Sequence, residues 1–294
     1  MSTDAPVDVT HSSIPAMADL PPERPAPAPK ARSGFRRVLI TAGPPLLVLV
    51  VLLGIWYLVS YMLSLRELSF LLPYPHEIFT DAYFDPEVRG DIWESLLRTT
   101  GVALAGLAIA IVIGVGWAVA MSLAGWIERS TYAYAVILQT IPILALVPLV
   151  GFWFGFDFTA RVIVCVLIAL FPMVSNTLFG LQSVDRSQRE LFQLQKAPKW
   201  VVLTKLTLPA ALPSIFVGMR TSAGLAVIGA IVGDYFFRRG DPGIGSLISN
   251  YQSRLQSAEL FAAILAACLL GVVIFMVFGW LARAVVGRWY EGAN

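Results

Sequence analysis

Long apolar runs separated by short polar stretches fill the chain from about residue 38 onward. Six of them are long enough to cross a bilayer: Val38–Leu63, Leu96–Leu123, Ala133–Phe154, Ala160–Leu181, Ile215–Phe236 and Leu260–Val285. Hydrocarbon offers no water to backbone N–H and C=O groups, so runs of this length predict helices. A closed β-barrel would instead show short segments of period two. The pattern therefore predicts an all-α polytopic membrane protein with six transmembrane helices.

The polar stretches set the domain organisation. Residues 1–37 form a proline-rich tail with too little apolar surface to offset its ordering entropy, and disorder is expected there. It lacks the layout of a signal peptide. Lys30, Arg32, Arg36 and Arg37 precede the first span, which by the positive-inside rule predicts an internal N-terminus and, with six spans, an internal C-terminus. On that topology the internal segments carry thirteen Lys and Arg and the external ones seven, Arg161 being counted as external. The membrane-spanning region then covers 38–289, with 290–294 as a short C-terminal tail. Outside, LLPYPHEIF (71–79) predicts an extended turn before an interfacial helix, and RRGDPGIGSLI (238–248) a Gly/Pro turn before a short helix.

Small residues recur at four-residue spacing: Gly106, Ala110 and Gly114 in the second span, Gly229 and Gly233 in the fifth. Such spacing lets helix backbones approach closely. Pro142, Pro148 and Pro172 should bend their spans. Gln139, Thr140, Asn176, Arg220 and Asp234 are polar groups at membrane depth, fit either for interhelical hydrogen bonds or for lining a pathway. Arg220 and Asp234 are about 21 Å apart along one helix, so each needs a partner elsewhere.

Composition removes whole classes of function. With 57% hydrophobic and 14% charged residues the chain is no soluble domain, and a net charge of +2 gives no case for nucleic acid. Cys165 and Cys268 lie in apolar runs, which argues against a disulfide framework, and the two histidines form no metal-ligand set. No catalytic triad, paired carboxylate or P-loop occurs, so neither an enzyme nor a bound cofactor is expected.

One polar stretch, 182–212, stands out between the fourth and fifth spans. Glu190–Lys196 predicts a short helix capped by Asp185 or Ser187, with Leu191 and Leu194 on one face. Pro198 ends it and starts a second helix over Trp200–Leu206, with Lys199 and Lys205 exposed; Leu208-Pro209 ends that one and Pro213 opens the fifth span. Two short helices with apolar knobs and a charged rim suit a docking surface; an ordinary loop is the plainer alternative.

The stretch resembles the EAA loop of binding-protein-dependent ABC importer permeases. Glu190 falls on the motif Glu, Lys196 on its Gly, Leu206 on its aliphatic position and Leu208-Pro209 on its LP, while Leu191 and Phe192 replace two alanines. Because Lys does not enter the left-handed region cheaply, the break between the helices is expected to shift to Pro198. LLPYPHEIF, QTIPILALVPLVGFWFGF, FPMVSNTLFGLQSVD and IGAIVGDYF with GIGSLI are similar to other stretches of the family, in the branch importing nitrate, sulfonates, taurine, pyrimidine precursors of thiamine and riboflavin. The resemblance implies a bacterial plasma-membrane permease paired with a second copy. It implies cytoplasmic ABC ATPases that hold ATP and Mg, and an external solute-binding protein. It implies that Glu190, Leu191, Leu194, Lys196, Ala197, Trp200, Leu206, Leu208 and Pro209 couple to the ATPase. Gln139, Thr140, Pro142, Asn176, Arg220 and Asp234 are the candidates for the pathway. The form IGAIVGDYF leans towards pyrimidine-precursor or riboflavin import. An ion-coupled secondary carrier is the alternative of another class.

Overall fold

The computed structural model describes residues 34–237 and 243–290, so most of the tail, the turn at 238–242 and the last four residues lie outside the described residues. Among the described residues the chain is helical, with no strand. It divides into an N-terminal unit ending at Leu52 and a unit from Leu53 onward. The first unit is the leading part of α1 (Gly34–Ser64), with Pro44 and Pro45 inside the helix.

In the second unit α2 (Pro86–Leu123) starts ten residues before the expected span. Its start is set locally: Asp85 accepts a hydrogen bond from the Glu87 N–H at 2.8 Å, and Pro86 occupies the first turn, where a missing N–H costs nothing. The expected third span is two helices, α3 (Gly125–Thr140) and α4 (Ile143–Phe154), bent by 99° at Ile141-Pro142. Pro142 cannot donate to the helix ladder and pushes Ile141 into extended backbone. Among the described residues five helices are thus long and apolar enough to cross a membrane, and six spans are reached only if this bent pair counts as one.

α5 (Phe158–Gln182) lies between α2 and α8 (Leu208–Phe236) and is the spine of the unit. Small residues allow it. A Cβ on Gly106 would strike Cys165, one on Gly114 would lie 2.7 Å from Met173 Cγ, and one on Gly229 2.8 Å from Cys165 Cα. Gly233 faces Arg161, Gly218 faces Asn176 and Gly180 faces Ser214, so α5 and α8 run antiparallel in one register. The expected packing stripes are borne out. Cys165 is buried, Cys268 exposed, and both are free thiols.

The LLPYPHEIF turn is pinned to the end of α1. The Pro73 carbonyl accepts from Trp56 Nε1 at 3.0 Å and Ser60 Oγ at 3.2 Å, and Tyr74 N–H donates to Glu77 at 2.8 Å. A π-helical turn, Ile78–Tyr83, follows and buries Ile78 and Ala82. The short helix expected after the Gly/Pro turn is α9 (Ile244–Ser253), and α10 (Ser257–Tyr290) closes the unit.

Candidate functional site

The polar stretch between α5 and α8 folds as α6 (Arg186–Leu194), a break, and α7 (Lys199–Val202). The break is made by Lys196 itself, which adopts φ +50°. Its N–H bonds to the Gln193 carbonyl at 2.9 Å and the Ala197 N–H to the Phe192 carbonyl at 3.0 Å. That pair of bonds is a Schellman motif, in which the residue after the C-cap takes the left-handed conformation. The expectation that the break moves to Pro198 is therefore corrected. The two hydrogen bonds close the orphan carbonyls of α6 and hold a lysine where glycine would be cheaper by about 1 kcal/mol. Pro198 serves as the N-cap of α7.

A second correction concerns the far end. Leu208-Pro209 does not terminate a helix: α7 continues through a π-helical turn, Leu203–Thr207, into α8, one helical run from Lys199 to Phe236. The widened turn lies directly before Pro209, whose ring would crowd a regular helix ladder, and Pro213 lies inside α8.

Leu191, Leu194 and Trp200 stand 54%, 82% and 66% exposed, whereas Leu203 beneath them is 4% exposed. Glu190 is tied to Arg186 at 2.8 Å on the exposed side of α6. Ala197, Leu206, Leu208 and Pro209 are half-buried. Three links fasten the stretch to helix ends. Arg189 Nη2 donates to the Leu181 and Gln182 carbonyls at 3.0 and 3.2 Å, Lys199 Nζ to the Leu123 carbonyl at 3.1 Å, and Gln182 Nε2 to Glu128 at 2.8 Å. Cations at the C-terminal ends of α5 and α2 also meet the negative end of each helix dipole. These roles of Arg189 and Lys199 were missed in the sequence, where Lys199 reads as solvated. A cleft of about 500 Å³ lies under the stretch, walled by Met121, Glu128, Gln182, Arg189 and Lys199.

The six pathway candidates do not come together. Gln139, Thr140 and Pro142 sit at the α3–α4 break and are exposed, Thr140 Oγ1 bonding the Ile137 carbonyl at 2.9 Å. Asn176 Nδ2 donates to the Pro172 carbonyl of its own helix at 2.8 Å. Arg220 stacks on Phe275, its guanidinium carbon 3.9 Å from the ring centroid.

Asp234 is fully buried, against Arg161 of α5, which is 4% exposed and stands 3.3 Å away. Counting Arg161 among external charges is thus corrected: it lies inside α5 because Asp234 compensates it. Thr99 Oγ1 of α2 donates to Asp234 Oδ2 at 2.5 Å and accepts the Ile244 N–H at 2.8 Å. Arg161 Nη2 donates to the Phe237 carbonyl at 3.1 Å, and Ser246 Oγ to the Asp234 carbonyl at 2.5 Å. Three helices and the start of α9 thus meet in one polar knot. Gly243 and Gly245 are required there, since a Cβ on Gly243 would overlap Asp234 and one on Gly245 the Ile231 carbonyl.

Long apolar helices, a broken third span and a helix–break–helix stretch clamped to helix ends define a membrane transport permease. Residues 98–289 match the family described as "Binding-protein-dependent transport system inner membrane component", and the chain belongs to that family. It is the permease subunit of an ABC importer, a multi-pass component of the bacterial inner membrane. It is similar to the formylaminopyrimidine transport permease protein ThiX of Halalkalibacterium halodurans, 33% identical over 79% of this chain and 90% of that one. The riboflavin transport system permease protein RibX of Chloroflexus aurantiacus is 29% identical over 75% of this chain and 81% of its own. The putative aliphatic sulfonates transport permease protein SsuC of Escherichia coli is 32% identical over 75% and 82%. A crystal structure of an amino acid ABC transporter with histidines shares the fold, with TM-score 0.55 at 18% identity, over 69% of this chain and 95% of that one.

Proposed function

We propose that the chain takes in a small nitrogen heterocycle, a pyrimidine precursor of thiamine or riboflavin, delivered by an external solute-binding protein. In this reading two copies of the chain enclose the pathway, and ATP with Mg is held by cytoplasmic ABC ATPases that dock on α6 and α7. The N-terminus and C-terminus then face the cytoplasm with that docking surface. The observation that carries the coupling is the pairing of exposed Leu191, Leu194 and Trp200 with anchors from Arg189 and Lys199 to the ends of α5 and α2. A push on those apolar knobs is passed to two helices without slack. The substrate class rests on the names of the relatives, ThiX and RibX.

The test is co-purification from the native host followed by reconstitution. A P-loop ATPase should come down with the chain, and uptake of labelled formylaminopyrimidine or riboflavin should stop when its catalytic glutamate is replaced. Uptake that persists on an ion gradient alone overturns the coupling. A sulfonate taken up in place of either heterocycle overturns the substrate class and leaves the coupling standing.

A further inference from the structure

Among the described residues the seam between α8 and α10 carries two arginines and no acid that answers them. Arg220 sits twelve residues into α8, at membrane depth, and lies over the Phe275 ring of α10. Gly279 leaves room for it: a Cβ there would come within 3.1 Å of Arg220 Nε. One turn further along α10 is Arg283, about 6 Å on at 1.5 Å per residue, and it is exposed. Among the described residues neither arginine has an ion-pair partner. The only acid on α8 is Asp234, which is held by Arg161, and the only one on α10 is Glu259, in its first turn at the opposite end.

Beside Arg283 an open groove of about 230 Å³ runs between the helices, lined by Pro213, Phe216, Ala282, Arg283, Val286 and Gly287. It is apolar apart from the guanidinium. A long arginine side chain near the end of a span reaches towards the headgroup level, where its charge is hydrated or met by phosphate.

The geometry points to this seam as a binding site for an anionic phospholipid, with the phosphodiester between Arg220 and Arg283 and an acyl chain in the groove. Charge complementarity selects the ligand: two cations with no acid beside them among the described residues need an anion, and the groove beside them needs hydrocarbon. In the bilayer an anionic lipid supplies both. The seam lies at the same end of the bundle as α7 and the start of α8, so a lipid seated there touches the helix through which the coupling stretch is continuous.

The full importer, solubilised with its ATPase and washed in mild detergent, is the material for the test. Mass spectrometry of retained lipid should find phosphatidylglycerol enriched over phosphatidylcholine after reconstitution into vesicles of both. Retention should fall about fivefold for Arg283→Gln, as for loss of one basic residue near an anionic surface, and further for Arg220→Gln with it. Arg220→Lys with Arg283→Lys should keep most of the enrichment, and inorganic phosphate should not displace the lipid. Arg283 is exposed, so the single variant tests the site even where the double variant fails to assemble. Equal retention of the two lipids by the wild type overturns the proposal. So does enrichment unchanged in Arg283→Gln, or a cross-link placing a second copy of the chain in the groove.

Discussion

Arg161 and Asp234 face each other at 3.3 Å across the α5–α8 seam, both closed off from solvent. A charge left without its partner in such a place is far costlier than the pair is favourable. Asp234→Leu alone should therefore destabilise the detergent-solubilised protein by about 3–5 kcal/mol, while Asp234→Leu with Arg161→Met should recover much of the loss. Thermal unfolding of the wild type and the two variants measures this, and an Asp234→Leu variant as stable as the wild type removes the pair from the account of the fold.

Gly243→Ala should be among the most disruptive glycine substitutions, because its methyl would overlap the Asp234 carboxylate and come within 2.5 Å of Thr99 Oγ1. Gly116→Ala is its control: nothing lies within 4 Å of that position, and a helix gains up to about 1 kcal/mol from the exchange. Melting temperatures that move in opposite directions fit the structure; equal shifts contradict the knot around Asp234.

Lys196 holds φ +50°, so Lys196→Gly relieves strain where it stands. Amides at the end of α6 should exchange with solvent more slowly by a factor of about five, the equivalent of about 1 kcal/mol. Lys196→Val should speed exchange, since a β-branched residue fits that conformation poorly. Faster exchange in the glycine variant would place the break elsewhere.

Leu194 is 82% exposed, so Leu194→Asp should leave the fold intact and weaken binding of the ATPase by roughly tenfold or more, the loss of one buried leucine. Leu203→Asp, 4% exposed on the inner side of the same stretch, should instead unfold it. Pull-down of the ATPase and size-exclusion profiles separate the two effects. Normal ATPase retention by Leu194→Asp would show that α6 is not the docking surface.

Most of the helical architecture was legible because bilayer crossing demands long apolar runs, and the small-residue stripes announced which faces pack. The third span shows the limit. Pro142 marked a bend, but an angle of 99° follows from what packs on each half, which the pattern of residues does not record. Lys196 was harder still, since general preference puts glycine there and only the bonds from Lys196 and Ala197 hold lysine in place. Arg161 passed for a loop charge because it follows Asp157 at the edge of an apolar run. A signal was present nonetheless: Arg161 is the fourth residue of α5 and Asp234 the third from the end of α8, so antiparallel neighbours bring them level.

The break at Ile141-Pro142 has a consequence in a bilayer. Where the bent pair crosses as one span, the last α3 carbonyls and the exposed Gln139 and Thr140 interrupt an otherwise apolar crossing, and hydrocarbon cannot solvate them. Irregular backbone at that depth persists only against protein or water. An elbow of this kind is at rest in lipid only where protein or water reaches it.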